Sequence, residues 1–404
     1  MATDVNVAVI GAGQAGLATS WFLTRAGVDH AVLESGRVAE TWRSRRWDSF
    51  CLVTPNWTVQ LPGGEYKGPD PDGYIKRAEI VDHFQRWVDS FRAPVREGCP
   101  VTALDRDGDS FVLTVPGGKL RARTVVVATG GYQRAHRPLA AEQMPARLTQ
   151  LLAEEYRNEG ALPDGAVLVI GGGQTGCQMS EELHHAGRKV FLSCGRAPWA
   201  PRRMGGHDLV WWIVESGFWN RTPAQLPSPA ARLLSNPLTT GHDGGHDLHY
   251  RTLNEMGVEL LGRFLGAEDG IVRFGDDLAQ SMQAGDDLSR VFMKWVGALC
   301  DQRGLEIPWE VPEAANLRSL TELDLEREGV TTVIWTTGFR PDYGWVHADV
   351  CDDMGFPIQT DGRSNVPGLY FMGVHFQRKG QSAVLYGVGE DAEIVVDHIV
   401  ENRK

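Results

Sequence analysis

The 404-residue chain is without several features that would each assign it to a class at once. No apolar run approaches the roughly 20 residues that a membrane-spanning helix needs. A strand-like run begins within a few residues of Met1, which leaves no room for a signal peptide and makes a cytoplasmic protein the expectation. The six cysteines, at 51, 99, 177, 194, 300 and 351, form no C-x-x-C or C-x-x-x-x-C pair. That excludes a metal knuckle and argues against a redox-active dithiol. Positive charge is short as well: 40 Lys and Arg against 52 Asp and Glu give a net charge of −12. Such an acidic chain is not built around nucleic acid or an anionic bilayer. Its 42% hydrophobic and 23% charged residues are those of an ordinary globular protein, and its length predicts two or three domains.

Glycine, by contrast, is abundant and placed to effect. The apolar run Val7-Ala-Val-Ile10 stops at Gly11 and continues as Gly11-Ala12-Gly13-Gln14-Ala15-Gly16. This reads as a buried parallel strand, a tight turn and a helix from Gln14 to Ala26 with Gly27 as its C-cap. In such a turn Gly11 reverses the chain, Gly13 admits a pyrophosphate to the backbone, and Gly16 lets helix and strand close up. The helix start offers free N–H groups and partial positive charge to the phosphates. With 47 glycines, roughly half a pattern of this kind is expected by chance, so its surroundings must carry the assignment. They do: a second strand, Ala31-Val-Leu, ends in Glu34, where an acid hydrogen-bonds a ribose diol.

From Ser35 to Asp48 the chain holds Arg37, Thr41, Trp42, Arg43, Arg45, Arg46 and Trp47. Indoles and guanidinium groups so concentrated are costly unless something planar or anionic lies against them, although a surface loop with aromatic anchors has the same composition. Residues 78–91 carry Ile80, Val81, Phe84, Trp87 and Val88 at helical spacing and predict a core helix. Short strands are expected at 101–105, beginning with Val101, and at 111–115. Arg123 to Ala128 predicts a buried strand whose end, Thr129-Gly130-Gly131, is small enough to pass beside a nucleotide.

At Ala166-Val-Leu-Val-Ile the pattern returns, as Gly171-Gly172-Gly173-Gln174-Thr175-Gly176, with a helix to Ala186 and a strand at 189–193. Two complete strand–turn–helix–strand units are a far stronger signal than either alone. Where the first unit has Glu34, the second has Ser193-Cys194-Gly195-Arg196, followed by Arg202-Arg203. Ser and Arg accept a 2′-phosphate that an acid would repel, which points to NADPH over NADH; arginines on a solvated loop are the plain alternative.

Residues 205–260 read as irregular, with Gly-Gly-His-Asp at 205–208 and again at 244–247. His242, Asp243, His246, Asp247 and His249 invite a metal reading, but ligand spacing on a periodic element is missing and no metal is expected. His246 and Asp247 suit a pocket lining better. A helix is expected from Asp287 to Cys300. Val330 to Thr337-Gly338 repeats the strand-to-Thr-Gly ending of the first unit. Pro367 to Gly373 predicts a last strand, and a last helix should start at Gln381-Ser382 and run towards Ile399. The fold expected is α/β, with two Rossmann-like dinucleotide-binding domains. Residues 1–162 and 335–404 form the first, and residues 163–334 form a second inserted into it.

The two G-x-G-x-x-G units, the two Thr-Gly strand ends and the Gly-Leu-Tyr-Phe-Met-Gly373 strand resemble the two-dinucleotide-binding flavoproteins. Within that group Thr41-Trp42, Trp47-Asp48-Ser49, Thr54-Pro55 and Gln60-Leu-Pro-Gly63 are similar to class B flavoprotein monooxygenases, above all the auxin-type flavin-containing monooxygenases. The resemblance covers nearly the whole chain. It implies FAD in the first unit and NADPH in the second, with O2 and a small organic substrate meeting in the cleft between them. Nothing in it calls for a nucleic acid or a membrane, and a homodimer is allowed.

On that template Gly11 to Gly16 and Glu34 hold the ADP half of FAD, with Ser35, Arg37, Val101, Ala128, Thr129 and Gly130 lining the same site. Thr41, Trp42 and Asn56 fall near the isoalloxazine and Gly373 near the ribityl chain, with Trp47 and Asp48 also among the cofactor-binding residues. The helix starting at Ser382 points its positive end at the flavin's pyrimidine edge. Gly171, Gly173, Gln174, Thr175, Gly176, Ser193, Arg196, Arg202, Arg203, Thr337 and Gly338 fall to NADPH. The reaction implied is reduction of FAD by NADPH, addition of O2 to give a C4a-(hydro)peroxyflavin, and passage of one oxygen atom to an organic nucleophile, N-oxidation being one option. Asn56 is the candidate to hydrogen-bond that adduct, and Asp48 and His246 to handle protons. The family's F-x-G-x-x-x-H fingerprint is missing, with Leu152 where relatives carry His, which disfavours a Baeyer–Villiger reaction. Gly373-Val-His375 lacks the Asp of disulfide-reductase relatives, in keeping with the absent dithiol. The rival readings are an NADPH-dependent flavin oxidase or reductase that transfers no oxygen, and a non-catalytic flavin/NADPH redox sensor.

Overall fold

The computed structural model describes residues 3–233, 236–313, 317 and 319–402. Two parallel sheets organise it, each grown from one of the glycine turns. In the first, β1 (Thr3–Ile10) passes through its turn into α1 (Gln14–Arg25) and β2 (His30–Leu33). Then come α2 (Glu40–Ser44), α3 (Arg77–Phe91), β3 (Val95–Arg96), β4 (Ala103–Asp107), β5 (Ser110–Val115) and β6 (Gly118–Val127). The second sheet begins with β7 (Thr149–Leu152), β8 (Ala166–Ile170), α4 (Gln174–His185) and β9 (Val190–Ser193). It continues with α5 (Leu209–Glu215), α6 (Tyr250–Met256), β10 (Glu259–Leu261), α7 (Leu278–Arg303) and β11 (Val330–Trp335). β12 (Leu369–Phe371) and α8 (Val388–Glu401) close the chain.

The first sheet runs β12-β6-β1-β2-β3, all parallel, and β5 pairs antiparallel with the first half of β6. The second runs β7-β11-β8-β9-β10, again parallel. Because β12 rejoins β6, the last part of the chain returns to the first sheet, and the second unit is an insertion. β7 lies before the boundary drawn from sequence at 162/163, yet its hydrogen bonds are to β11 in the second sheet. Helices cover both faces of a parallel sheet, which is why β8 is apolar throughout and β1 is apolar and buried from Val7 to Ile10. α1 packs against α8, and one core runs from Leu17 and Val395 through Trp47, Leu52 and Tyr156 to Cys177 and Leu183 of α4. Each fully buried side chain of this size is worth about 1.5–3 kcal/mol. The two units therefore share a core.

Several elements differ from expectation. The helix expected at Asp287–Cys300 is α7, Leu278–Arg303. Its first turns bury Ser281, Gly285, Asp286 and Ser289 beside Leu278 and Met282, with Trp199 Nε1 donating to Asp286 at 2.7 Å and Ser289 Oγ to the Trp199 carbonyl at 2.6 Å, which interrupts the apolar stripe. The segment read as irregular holds α5 and α6, the first capped by Asp208 accepting from Val210 N–H at 2.8 Å. The strand expected at 101–105 lies at 103–107, leaving Val101 just before it. The last helix starts at Val388, since residues 381–387 are turns.

Candidate active site

At the first turn Gly11 has φ +107°, and a Cβ there would lie 2.6 Å from the Ala128 carbonyl oxygen. The turn thus presses against the end of β6, where Thr129 and Gly130 leave the sheet. A Cβ on Gly16 would come within 1.9 Å of the Gly11 carbonyl oxygen, whereas one on Gly13 would meet nothing within 4 Å. Gly16 is a packing glycine, and Gly13 faces open space at the head of α1. Gln14, Ala15 and Gly16 form the first helical turn there. The buried Glu34 carboxylate accepts Ala12 N–H at 2.7 Å and Gly36 N–H at 2.8 Å, with the Ser35 hydroxyl at 3.2 Å. Anion-ready N–H groups, the open space over Gly13 and a held acid fit the ADP half of FAD. Gly373 abuts this turn, since a Cβ there would lie 2.8 Å from Ala15 Cβ. Arg37 does not face it: its exposed guanidinium pairs with Glu40 at 2.9 Å.

The second turn repeats the geometry. A Cβ on Gly171 (φ +117°) would lie 2.5 Å from the Thr336 carbonyl oxygen, and one on Gly176 1.9 Å from that of Gly171. Gly173 caps α4, whose first residues are Gln174 and Thr175. Thr337 Oγ1 bonds the His136 carbonyl, and Gly338 (φ +83°) follows it out of β11. The register corrects one expectation. Ile10 pairs with Leu33 and Ile170 with Ser193, so Glu34's counterpart is Cys194, not Ser193. The Ser193 hydroxyl turns inward, donating to the Gly262 carbonyl at 2.9 Å and accepting from Phe264 N–H at 3.1 Å. The work Glu34 does on Ala12 passes to Tyr250, whose hydroxyl donates to the Gly172 carbonyl at 2.6 Å and accepts from Gly195 N–H at 3.2 Å. No acid stands at this ribose position. Arg196 is exposed there and, among the described residues, has no ion pair.

Arg202 is a second correction. Its side chain is 1% exposed and 2.7 Å from Asp208, and it donates to the Val53 carbonyl at 2.7 Å and to the Tyr74 hydroxyl at 2.8 Å. It joins the first unit to the base of α5, buried and with its charge already balanced by Asp208. Arg203 is exposed, 3.7 Å from Asp208.

The three residues proposed for chemistry are not linked to one another by any hydrogen bond. Asn56 is buried with its amide spent on the 56–75 loop: Nδ2 donates to the Asp70 carbonyl at 2.8 Å and Oδ1 accepts Ile75 N–H at 2.7 Å. Asp48 pairs with Arg77 at 2.9 Å and accepts from Asn158 at 2.7 Å. His246 Nε2 lies 2.6 Å from the buried Glu181 carboxylate, and that hydrogen bond raises its pKa. Burial pushes His249 down to about 4. Ser382 is buried before the helix, its hydroxyl accepting Arg378 N–H at 3.1 Å and Lys379 N–H at 3.0 Å. Leu152 packs against the second sheet's core, beside Trp335 in register. Among the described residues, no group of three His, Cys, Asp or Glu could hold a metal ion.

Sequence reasoning missed the cleft of about 810 Å³ between the units. Trp57 and Asp72 line it from the first unit, Trp211 and Glu215 from α5, and Gln381 and Tyr386 from the turns before α8. Trp57 and Tyr386 meet edge to face at 6.0 Å. Gln60 belongs to a motif already singled out, and Trp57 and Gln381 are next to Asn56 and Ser382, but nothing along the chain joined them to Trp211 and Glu215 of α5.

Residues 8–213 match the pyridine nucleotide-disulphide oxidoreductase family, and the chain belongs to it. It is an oxidoreductase, with FAD and NADP(H) the cofactors of its family. The CzcO-like oxidoreductase of Geobacillus kaustophilus (strain HTA426) is 31% identical over 401 residues, 98% of this chain and 99% of that one. Indole-3-pyruvate monooxygenase YUCCA4 of Oryza sativa subsp. japonica is 29% identical over 237 residues, 52% of this chain and 53% of its own. A flavin-containing monooxygenase from Stenotrophomonas maltophilia shares the fold over 100% of both chains, with a TM-score of 0.67 at 19% identity. The six cysteines are unpaired, and burial pushes the Cys177 and Cys194 thiols well above their ordinary pKa, which makes those two poor nucleophiles.

Proposed function

We propose that the protein is an NADPH-dependent flavin monooxygenase that transfers one oxygen atom of O2 to a small organic substrate. The aromatic cleft carries this reading. It opens between the two nucleotide units, against the turns that follow Gly373, and it is roomy enough for a substrate beside a flavin. Bound FAD supplies hydride acceptance from NADPH and the activation of O2. The protein's own contribution is placement. Glu34 and the open face of Gly13 hold the adenosine and pyrophosphate, and the exposed Arg196 meets the 2′-phosphate. The rings of Trp57, Trp211 and Tyr386 orient an apolar or planar substrate.

The test is turnover with NADPH and 18O2 against a panel of tertiary amines and aryl thioethers. One labelled oxygen atom per substrate molecule is the expected product. Stoichiometric peroxide with no label in any organic product would establish the oxidase reading instead. Trp57→Ala and Tyr386→Ala should raise KM for the oxygenated substrate about tenfold while NADPH reduces the flavin at an unchanged rate, in line with about 0.5–1.5 kcal/mol per aromatic contact beyond its buried area.

A further inference from the structure

Arg46 is a cation without a counter-ion, set between α2 and the segment that follows β6. Its guanidinium lies 5.6 Å from the Trp42 ring, 5.7 Å from Phe50 and 5.5 Å from Tyr132. Its hydrogen bond is to the neighbouring Arg45 carbonyl, at 3.0 Å. Among the described residues no carboxylate lies within 4 Å of it; the nearby Glu154 is paired with Arg45 at 3.3 Å. Burial pushes the pKa of Arg46 down. Taking a cation from water without a partner is costly, so an unpaired one on a site wall implies that its partner is a ligand.

The walls around Arg46 both start at the glycine turn. Ala39 N–H donates to the Ala12 carbonyl at 3.1 Å, which fixes α2 and Trp42 beside the turn. Tyr132 follows Thr129-Gly130-Gly131 out of β6, and its ring meets that of His375, two residues beyond Gly373, at 5.8 Å. Arg46 thus spans from one wall to the other. A dinucleotide with its ribose at Glu34 and its pyrophosphate over Gly13 would leave its other half to the side of the turn where Gly373 abuts Ala15. The three rings lie at the outer edge of cation–π range and give the guanidinium no counter-charge. Where this protein stacks an arginine closely, Arg221 on Phe218, the separation is 3.5 Å. A box 5.5–5.7 Å from its cation leaves room for a planar group to enter.

We propose that Arg46 faces the isoalloxazine ring of bound FAD and stabilises the negative charge the ring gains on reduction. The proposal rests on FAD occupying the first unit, which wild-type FAD binding checks separately. Arg46→Gln and Arg46→Met remove the charge, the second keeping an apolar stem against Trp42 and Phe50. Arg45→Gln removes a neighbouring charge already neutralised by Glu154. Midpoint potentials are measured by dye equilibration with dithionite as reductant, which bypasses NADPH, alongside the Kd for oxidised FAD and the apoprotein Tm.

Either Arg46 variant should bind reduced FAD at least tenfold more weakly relative to oxidised FAD, a midpoint about 30 mV more negative for a two-electron couple. Arg46→Lys should recover most of it, and Arg45→Gln should leave it in place. If a folded Arg46→Gln or Arg46→Met protein binds FAD at the wild-type potential, Arg46 is only a packing residue, whatever its Tm. If wild-type protein binds no FAD, the cofactor assignment falls and this proposal with it.

Discussion

Arg202 and Asp208 form a buried ion pair, 2.7 Å apart, that fastens the two sides of the cleft together. Asp208 caps α5, and Arg202 reaches across to Val53 of the first unit. Arg202→Ala would strand the carboxylate of Asp208, and breaking a buried pair costs about 3–5 kcal/mol. The variant should therefore melt at a much lower temperature while its ratio of NADPH to NADH turnover stays as in wild type. A shifted ratio with an unchanged Tm would reverse the assignment.

Arg196 should behave in the opposite way. It is exposed and unpaired beside a ribose position that has no acid. A charge-assisted contact to the 2′-phosphate is worth about 1.5–3 kcal/mol, or roughly 10- to 100-fold in affinity. Arg196→Ala should lose that much of its preference for NADPH, with NADH kinetics and Tm little altered. Equal kcat/KM ratios in variant and wild type would remove Arg196 from the site.

The glycines of the first turn separate ligand space from packing space. A Cβ at position 13 meets nothing within 4 Å, but at position 16 it falls 1.9 Å from a backbone oxygen. Gly13→Val should fold and melt much as the wild-type apoprotein does, yet purify with little FAD. Gly16→Val should fail to accumulate as folded protein. Full flavin occupancy in Gly13→Val would put the nucleotide elsewhere.

The His246–Glu181 contact predicts a pH-dependent stability. The carboxylate, 2.6 Å from Nε2, holds the folded-state pKa of His246 above the ordinary value. A histidine raised on folding adds stability that is complete below its unfolded pKa of about 6.5 and is lost as pH rises through the folded value. The Tm gap between wild type and His246→Gln should be widest near pH 6 and close towards about pH 9. A gap constant over that range would show that the contact does not depend on the imidazolium.

The elements nearest the cofactors were legible because their signals are local. An apolar strand ending in G-x-G-x-x-G needs no distant partner to be recognised, and both turns lie where the spacing places them. The acid after β2 was legible for the same reason. α7 was read only in part, since its first turns bury Ser281, Gly285 and Asp286, which a search for apolar periodicity passes over.

What each polar side chain does was settled by the tertiary structure. Ser193, Arg202 and Asn56 all have the chemistry to bind a cofactor, and all are consumed by partners elsewhere in the fold. Arg202 and the Val53 carbonyl it holds are 149 residues apart, and no spacing rule links them. Arg196 and Arg46 differ from Arg202 in no property visible along the chain; they differ in having no carboxylate beside them once it has folded. Backbone periodicity is written locally because it follows from the geometry of successive peptide units. Whether a charge is free to meet a ligand depends on which groups packing brings within about 4 Å of it, and that is decided by the whole chain at once.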